Sequence, residues 1–268
     1  MRLPKRSLLS MRYAIYYTPA NDSPLWQQGC RWLGREATTG VFLPQPRIAQ
    51  IDPDRLAELT RIPRHYGFHA TVVPPFHLQD GTSEAQLVVA LTDFTTRQHA
   101  FLLPSLEITQ LDSFFCLRPK RFCHAMHGLA AQCLRELDRF RAPLSASEMA
   151  RRKAGQLNGQ QKRNLELWGY PYVLDQYRFH FTLTARLAET KEKERIRQAL
   201  GETFDPHLQE PFTCDALCLF VEPEPGQPLR CTQRFPFLGS SAKQCRSLAH
   251  DQHHPVQDLY SRYQCHFA

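Results

Sequence analysis

The chain has 268 residues, 42% of them hydrophobic, enough to bury a sizeable core, and its 33 Lys and Arg against 26 Asp and Glu give a formal charge of +7. That surplus favours anionic partners such as phosphorylated metabolites or nucleic acid, without choosing between them. Nine cysteines, an odd number with no CxxC pair, argue against a disulfide-stapled secreted fold and a structural zinc site, and no apolar run reaches membrane-spanning length. A soluble, cytoplasmic chain with no membrane partner is expected.

Residues 1–10 carry Arg2, Lys5 and Arg6 but too short an apolar stretch for a secretory signal, and Met11 is expected to be the native start. Tyr13 to Thr18 reads as a strand. A helix then opens at Ser23 or Pro24 and runs through Leu33, with Ser23 as its cap. Pro44, Pro46 and Pro53 mark a loop before a short helix from Asp54 to Thr60. A strand from Gly67 to Val73 follows and ends at Pro74-Pro75. Ser83 caps a helix in which Leu87, Ala90, Leu91 and Phe94 recur at helical spacing, and strands are expected at Leu103–Thr109 and Ser113–Leu117.

The second half opens on an amphipathic helix, Cys123 to Phe140, whose stripe of Met126, Leu129, Ala130, Cys133, Leu134 and Leu137 is ordinary core. The basic run from Ser147 to Leu167, with Arg151, Arg152, Lys153, Lys162 and Arg163, reads as one or two helices forming a lid or connector. It is either a solvated face or a phosphate contact. The turn Trp168–Tyr172 feeds a strand from Tyr177 to Arg186, then a helix from Lys191 to Leu200 and strands at Thr213–Val221 and Leu229–Phe235. After Gly239 periodicity fades. Residues 239–268 read as a disordered tail, and metal capture by His253, His254, Cys265 and His266 there would be opportunistic.

Two stretches are copies of one another: Tyr66-Gly67-Phe68-His69-Ala70-Thr71 and Tyr177-Arg178-Phe179-His180-Phe181-Thr182, their histidines 111 positions apart. Strand alternation puts His69 and Thr71 on one face and Phe68, Ala70 and Val72 on the other. In the second copy Phe179, Phe181 and Leu183 face the core, and Arg178, His180, Thr182 and Thr184 point away. One such pair on a strand is commonplace. Its repetition in register, beside Phe-rich core faces, points to two imidazoles for proton transfer and two hydroxyls to hold an anion.

The paired His-x-Thr pattern resembles the two-histidine (2H) phosphoesterase superfamily, which includes RNA 2',3'-cyclic phosphodiesterases and the so-called 2'-5' RNA ligases. Tyr-Gly-Phe-His-Ala-Thr-Val-Val-Pro-Pro-Phe, Leu-Trp-Gly-Tyr-Pro-Tyr-Val and Tyr-Arg-Phe-His-Phe-Thr-Leu-Thr are closer still to a bacterial branch associated with phosphonate metabolism and of unassigned function. The likeness runs from about Met11 to Leu238. It implies an internally duplicated α+β fold: two similar lobes, residues 11–120 and 121–238, related by a pseudo-twofold axis, with antiparallel sheets facing across a central cleft and helices outside. It also implies catalysis by His69, His180, Thr71 and Thr182 with no cofactor and no metal. That branch often carries a Lys where this chain has Val73, on the face assigned to His69.

Between the copies, Gly67 matches Arg178, so one side has room where the other presents a guanidinium, either for a second phosphate or for a structural ion pair. Tyr16 and Tyr172 are candidates for lining the pocket or for packing. The expected substrate is a small phosphorylated sugar such as a ribosyl cyclic phosphate. An RNA end bearing a 2',3'-cyclic phosphate is the alternative. A non-catalytic nucleic-acid binder is a third reading, disfavoured because Phe68, Phe179 and Phe181 should face the core rather than stack on bases. A nucleotide-triphosphate enzyme is set aside, since no Gly-x-x-x-x-Gly-Lys-Ser/Thr loop is present. The oligomeric state is not legible.

Overall fold

A computed structural model describes residues 11–239 apart from 154 and 210. The expectations for the first ten residues and for the tail from 240 onward, His253, His254, Cys265 and His266 included, lie outside the described residues. Among those described, no helix is long and apolar enough to cross a membrane.

The first half begins with β1 (Arg12–Tyr17) and α1 (Pro24–Leu33), where the Ser23 hydroxyl accepts from the Trp26 amide at 3.2 Å as the expected cap. The short helix α2 (Pro53–Leu59) continues after Thr60 into α3 (Arg61–Tyr66), which was not anticipated. Arg64 holds α3 in place by donating to the Leu33 carbonyl at 2.6 Å and to the Thr60 hydroxyl at 2.8 Å. Then come β2 (Ala70–Phe76) and α4 (Glu84–Thr95), the latter opened by a capping box between Ser83 and Gln86. The single strand expected at 103–109 is two, β3 (Phe101–Leu103) and β4 (Leu106–Leu111), because Pro104 between them cannot donate to a ladder. The strand β5 (Phe114–Pro119) completes a hairpin with β4.

The second half holds α5 (His124–Leu137), α6 (Ala146–Lys153) and α7 (Gly159–Trp168), and then the second motif. Its strand, β6, is only Phe181–Thr182, far shorter than the expected Tyr177–Arg186. Beyond Thr182 the amides of Leu183 and Thr184 both turn to the Phe115 carbonyl, and Ala185 bonds instead to Leu59, so the regular ladder stops. Thr184 is buried and accepts from the Phe115 amide at 3.0 Å, a structural task rather than the cleft position expected. The chain closes with α8 (Thr190–Phe204), β7 (Phe212–Cys214), β8 (Ala216–Glu222) and β9 (Arg230–Pro236).

The architecture is α+β, with an antiparallel seven-stranded sheet in the order β4-β5-β6-β2-β1-β8-β9 and a separate pair, β3-β7. The two motif strands are neighbours in that one sheet, so the halves expected to face each other join edge to edge at the pair Ala70 and Phe181. Nor does each half keep its own strands. The strands β4 and β5 from before residue 120 extend the sheet beyond β6, while β8 pairs onto β1 and β9 onto β8, so the boundary expected at 120/121 separates no sheet unit.

The core faces of both motifs behave as the alternation predicts: Phe68, Ala70, Val72, Phe179, Phe181 and Leu183 are all buried. The Phe68 ring stacks on Phe181 at 4.8 Å and packs against Trp26 and Phe204. It also lies so close to α1 that a Cβ on Gly29 would sit 2.3 Å from the ring, which is why glycine stands there. With these rings turned inward, no aromatic platform for bases exists on the motif strands.

Candidate active site

The pairing of Ala70 with Phe181 decides the geometry of the site. Directly opposed residues on antiparallel strands share a face, so extending that pairing one position each way sets His69 opposite Thr182 and Thr71 opposite His180. The four side chains therefore form a square with the imidazoles on one diagonal and the hydroxyls on the other. All four line a single cavity of about 600 Å³.

Both imidazoles are oriented by the same local device. The Nδ1 of His69 bonds the Gly67 carbonyl at 2.9 Å and that of His180 bonds the Arg178 carbonyl at 2.7 Å, each reaching back two residues. In the neutral ring this places the proton on Nδ1 and leaves Nε2 for the cavity. The Thr71 hydroxyl stands 3.3 Å from His69 Nε2. Tyr177 ties the copies together, its hydroxyl donating to the Thr71 carbonyl at 2.8 Å.

The surroundings then diverge. Tyr16, fully buried, stacks under His69 with ring centroids 3.7 Å apart. Burial pushes the His69 imidazole down to about 4, the Gly67 carbonyl opposes the drop, and the nearby His180 adds to it. The pKa of His180 is also lowered by burial, with its carbonyl bond opposing and the charges of Arg118 and Arg178 contributing. Gly67 itself sits at φ +82, and a Cβ there would lie 2.6 Å from the Ala37 Cβ. Its glycine is required by the backbone and by Ala37, not by room for substrate.

Arg178, Tyr16 and Tyr172, the residues expected to contact substrate, all line the cavity. Tyr16 does so as the floor beneath His69. Arg178 is exposed and lies 5.1 Å over the Tyr172 ring, and among the described residues it makes no ion pair, so the structural-ion-pair reading drops away. Val73, by contrast, is not in the cavity. Between the pairs Tyr16–Thr71 and Ile15–Val73 the register shifts, making Val72 an extra residue in β2. This bulge turns Val73 to the core side with Ile15, where it is 3% exposed, and so corrects its placement on the His69 face.

Sequence reasoning missed several lining residues: Arg12, Tyr66, Tyr170 and Arg186. Arg12 had a signal, since it shares the face of Tyr16 four positions on along β1. The basic run contributes Arg151 and Arg152 from α6 to the cavity lining. Among the cavity-lining residues five are arginines and one, Asp112, is a carboxylate.

A family profile described as "Protein of unknown function (DUF1045)" matches residues 71–230. The chain is 38% identical over 235 residues to a ribose 1,5-bisphosphate phosphokinase PhnN of Janthinobacterium sp. (strain Marseille), covering 87% of this chain and 52% of that protein. It is 39% identical over 225 residues to the protein of the same name from Laribacter hongkongensis (strain HLHK9), covering 82% and 50%. The chain thus spans about half the length of the curated relatives it matches. Crystal structures of E. coli LigT with 3'-AMP and with NADP+ align at TM-scores of 0.40 and 0.39 and 12% identity, over 85% of this chain and 99% and 98% of theirs.

Proposed function

The chain belongs to the DUF1045 family, and we propose that it is a metal-independent phosphoesterase of the two-histidine kind that opens the cyclic phosphodiester of a small phosphorylated sugar. One observation carries this reading: two imidazoles, each presenting Nε2, stand on one diagonal of a square whose other corners are hydroxyls, inside one cavity. In-line displacement at phosphorus needs a base on the side of the attacking water and an acid on the side of the departing oxygen. The diagonal supplies the two positions. Thr71 and Thr182 stand between them to donate to the non-bridging oxygens as charge grows there.

The two histidines divide the task by environment. His69, held neutral most strongly, takes the proton from water as a new bond forms from oxygen to phosphorus. His180, as imidazolium, gives its proton to the ring oxygen as the old bond breaks, leaving a phosphate monoester and a free hydroxyl. The negative charge of a bound phosphorylated substrate offsets the Arg118 and Arg178 charges that hold the pKa of His180 down, and so raises it toward the acid role.

The relatives' names support a ribosyl substrate. This chain has no nucleotide-phosphate loop, so we assign the kinase activity named for those proteins to their half outside the match. Opening a 1,2-cyclic phosphate of ribose 5-phosphate at the 2-oxygen gives ribose 1,5-bisphosphate, the compound in their name. Two such activities in one polypeptide would be consecutive.

The test is hydrolysis of a panel in EDTA, with phosphorus NMR identifying the product: ribose 1,2-cyclic phosphate 5-phosphate, nucleoside 2',3'-cyclic phosphates, and an RNA with a 2',3'-cyclic end. Opening of the sugar ester to the 1-phosphate is expected. Preference for the RNA end would replace the substrate reading, and activity lost to EDTA but restored by a divalent ion would overturn the metal-free mechanism.

A further inference from the structure

The His-Thr square uses no guanidinium, yet the same cavity is lined by five. Arg12 is accounted for, since it pairs with the buried Glu222. Arg152 and Arg178 are not: among the described residues neither has a carboxylate within ion-pair distance. Both are instead mounted on aromatic rings. The Arg152 guanidinium lies 5.9 Å over Tyr170, Tyr170 meets Tyr172 edge-on at 5.8 Å, and Arg178 lies 5.1 Å over Tyr172. The result is a cation–ring–ring–cation ladder along one wall.

That wall is fixed in place. Arg152 of α6 donates to the Gly169 carbonyl, and the buried Asn164 of α7 donates to the carbonyls of Pro171 and Val173 at 3.4 and 3.0 Å. A guanidinium held by its face to a ring still has edge N–H groups to donate, Arg152 spending one of its five on Gly169, and loses little freedom when it binds, which suits contact with a phosphate. The in-line chemistry at the square needs only the ester phosphate, so a second anionic group is what these two cations are placed to meet.

We propose that the Arg152–Tyr170–Tyr172–Arg178 ladder is a subsite for a phosphate monoester carried by the substrate, separate from the His-Thr square. The proposal rests on the function proposed above and deepens it, making the monoester the feature that distinguishes this substrate from an RNA end. A cavity of about 600 Å³ accommodates a pentose with two phosphate groups.

The test is calorimetric titration with ribose 5-phosphate, which has the monoester but no cyclic ester, and with ribose. Ribose 5-phosphate binds and ribose does not. Arg178→Gln, an exposed site safe for folding, and Arg152→Gln each weaken binding roughly tenfold to a hundredfold, the usual worth of charge-assisted bonds. His69→Ala and His180→Ala change it less than about threefold. Unchanged affinity in the arginine variants, or loss of binding in the histidine variants, overturns the subsite. Its failure is separable from failure of the catalytic reading: a protein that opens cyclic esters equally well with and without the 5-phosphate lacks the subsite, whereas one that binds ribose 5-phosphate through these arginines but opens no cyclic ester lacks the chemistry.

Discussion

The two His-x-Thr copies share a backbone device and differ in almost everything around it. Each imidazole is locked by the carbonyl two residues before it, so the tautomer is set by the motif itself. His69 then lies on a buried tyrosine, behind a glycine that only a positive φ and the Ala37 methyl group explain. His180 follows an exposed arginine and has Phe114 5.9 Å away in place of a stacked ring. Local sequence therefore gives two equivalent nitrogens, and the tertiary surroundings hold the His69 imidazole in its neutral form and leave His180 within reach of cations. Part of that difference lies inside the repeat, where Arg178 replaces Gly67, and part in what packs against it.

The division is broken most directly at the histidines. Replacing either with Ala should lower kcat by about 10² to 10⁴, the worth of a general acid or base. The double variant should lose less than the product of the single losses, because both act in one event. Steady-state kinetics on the cyclic ester, with circular dichroism as the control for folding, checks both.

The positions matched as Gly67 and Arg178 sharpen the comparison next. Gly67→Ala should destabilise by about 2–4 kcal/mol through strain at positive φ and overpacking on Ala37. Arg178→Ala, at an exposed position, should shift stability by less than about 0.5 kcal/mol. Denaturant unfolding of the two variants measures the difference.

Thr71→Ala and Thr182→Ala should each cost roughly one to two decades in kcat, since each removes one donor and leaves the proton transfers in place. The smallest expected effect is on stability against pH. His69 has a folded-state pKa of about 4, below its ordinary value of 6.5, so the unfolded chain binds more protons between those values. Its contribution is present above pH 6.5 and is lost as pH falls toward 4. We expect a loss on the order of 1 kcal/mol, moderated by solvent reaching the cleft, and a shallower acid limb in His69→Asn.

How much of this was legible in the sequence follows from what a side-chain period can and cannot encode. The alternation in each motif correctly sorted Phe68 and Phe181 from His69 and Thr182, and Ser23 and Ser83 marked their helices because a cap is a local bond. Alternation does not name a strand's neighbour, so the joining of β2 to β6 in one sheet, and the pairing of β8 onto β1 with β9 beyond it, are not readable from it. A bulge adds no residue type, so alternation puts Val73 on the face that Val72's insertion denies it. Arg152 and Tyr170 reach the cavity from α6 and the turn after α7, whose docking is a tertiary fact, while Arg178 was found because it sits inside the repeat.

The central claim is that His69 and His180 act in opposite protonation states on one phosphorus, and the pH dependence of kcat/KM on the cyclic sugar phosphate tests it most directly. A bell is expected whose acid limb follows the His69 imidazole near 4 and whose basic limb lies below the ordinary histidine value of 6.5, the two limbs belonging to the coupled pair. In His69→Ala the acid limb should vanish and in His180→Ala the basic one. A profile flat across that range, or folded variants of both histidines that keep the wild-type curve, would contradict it.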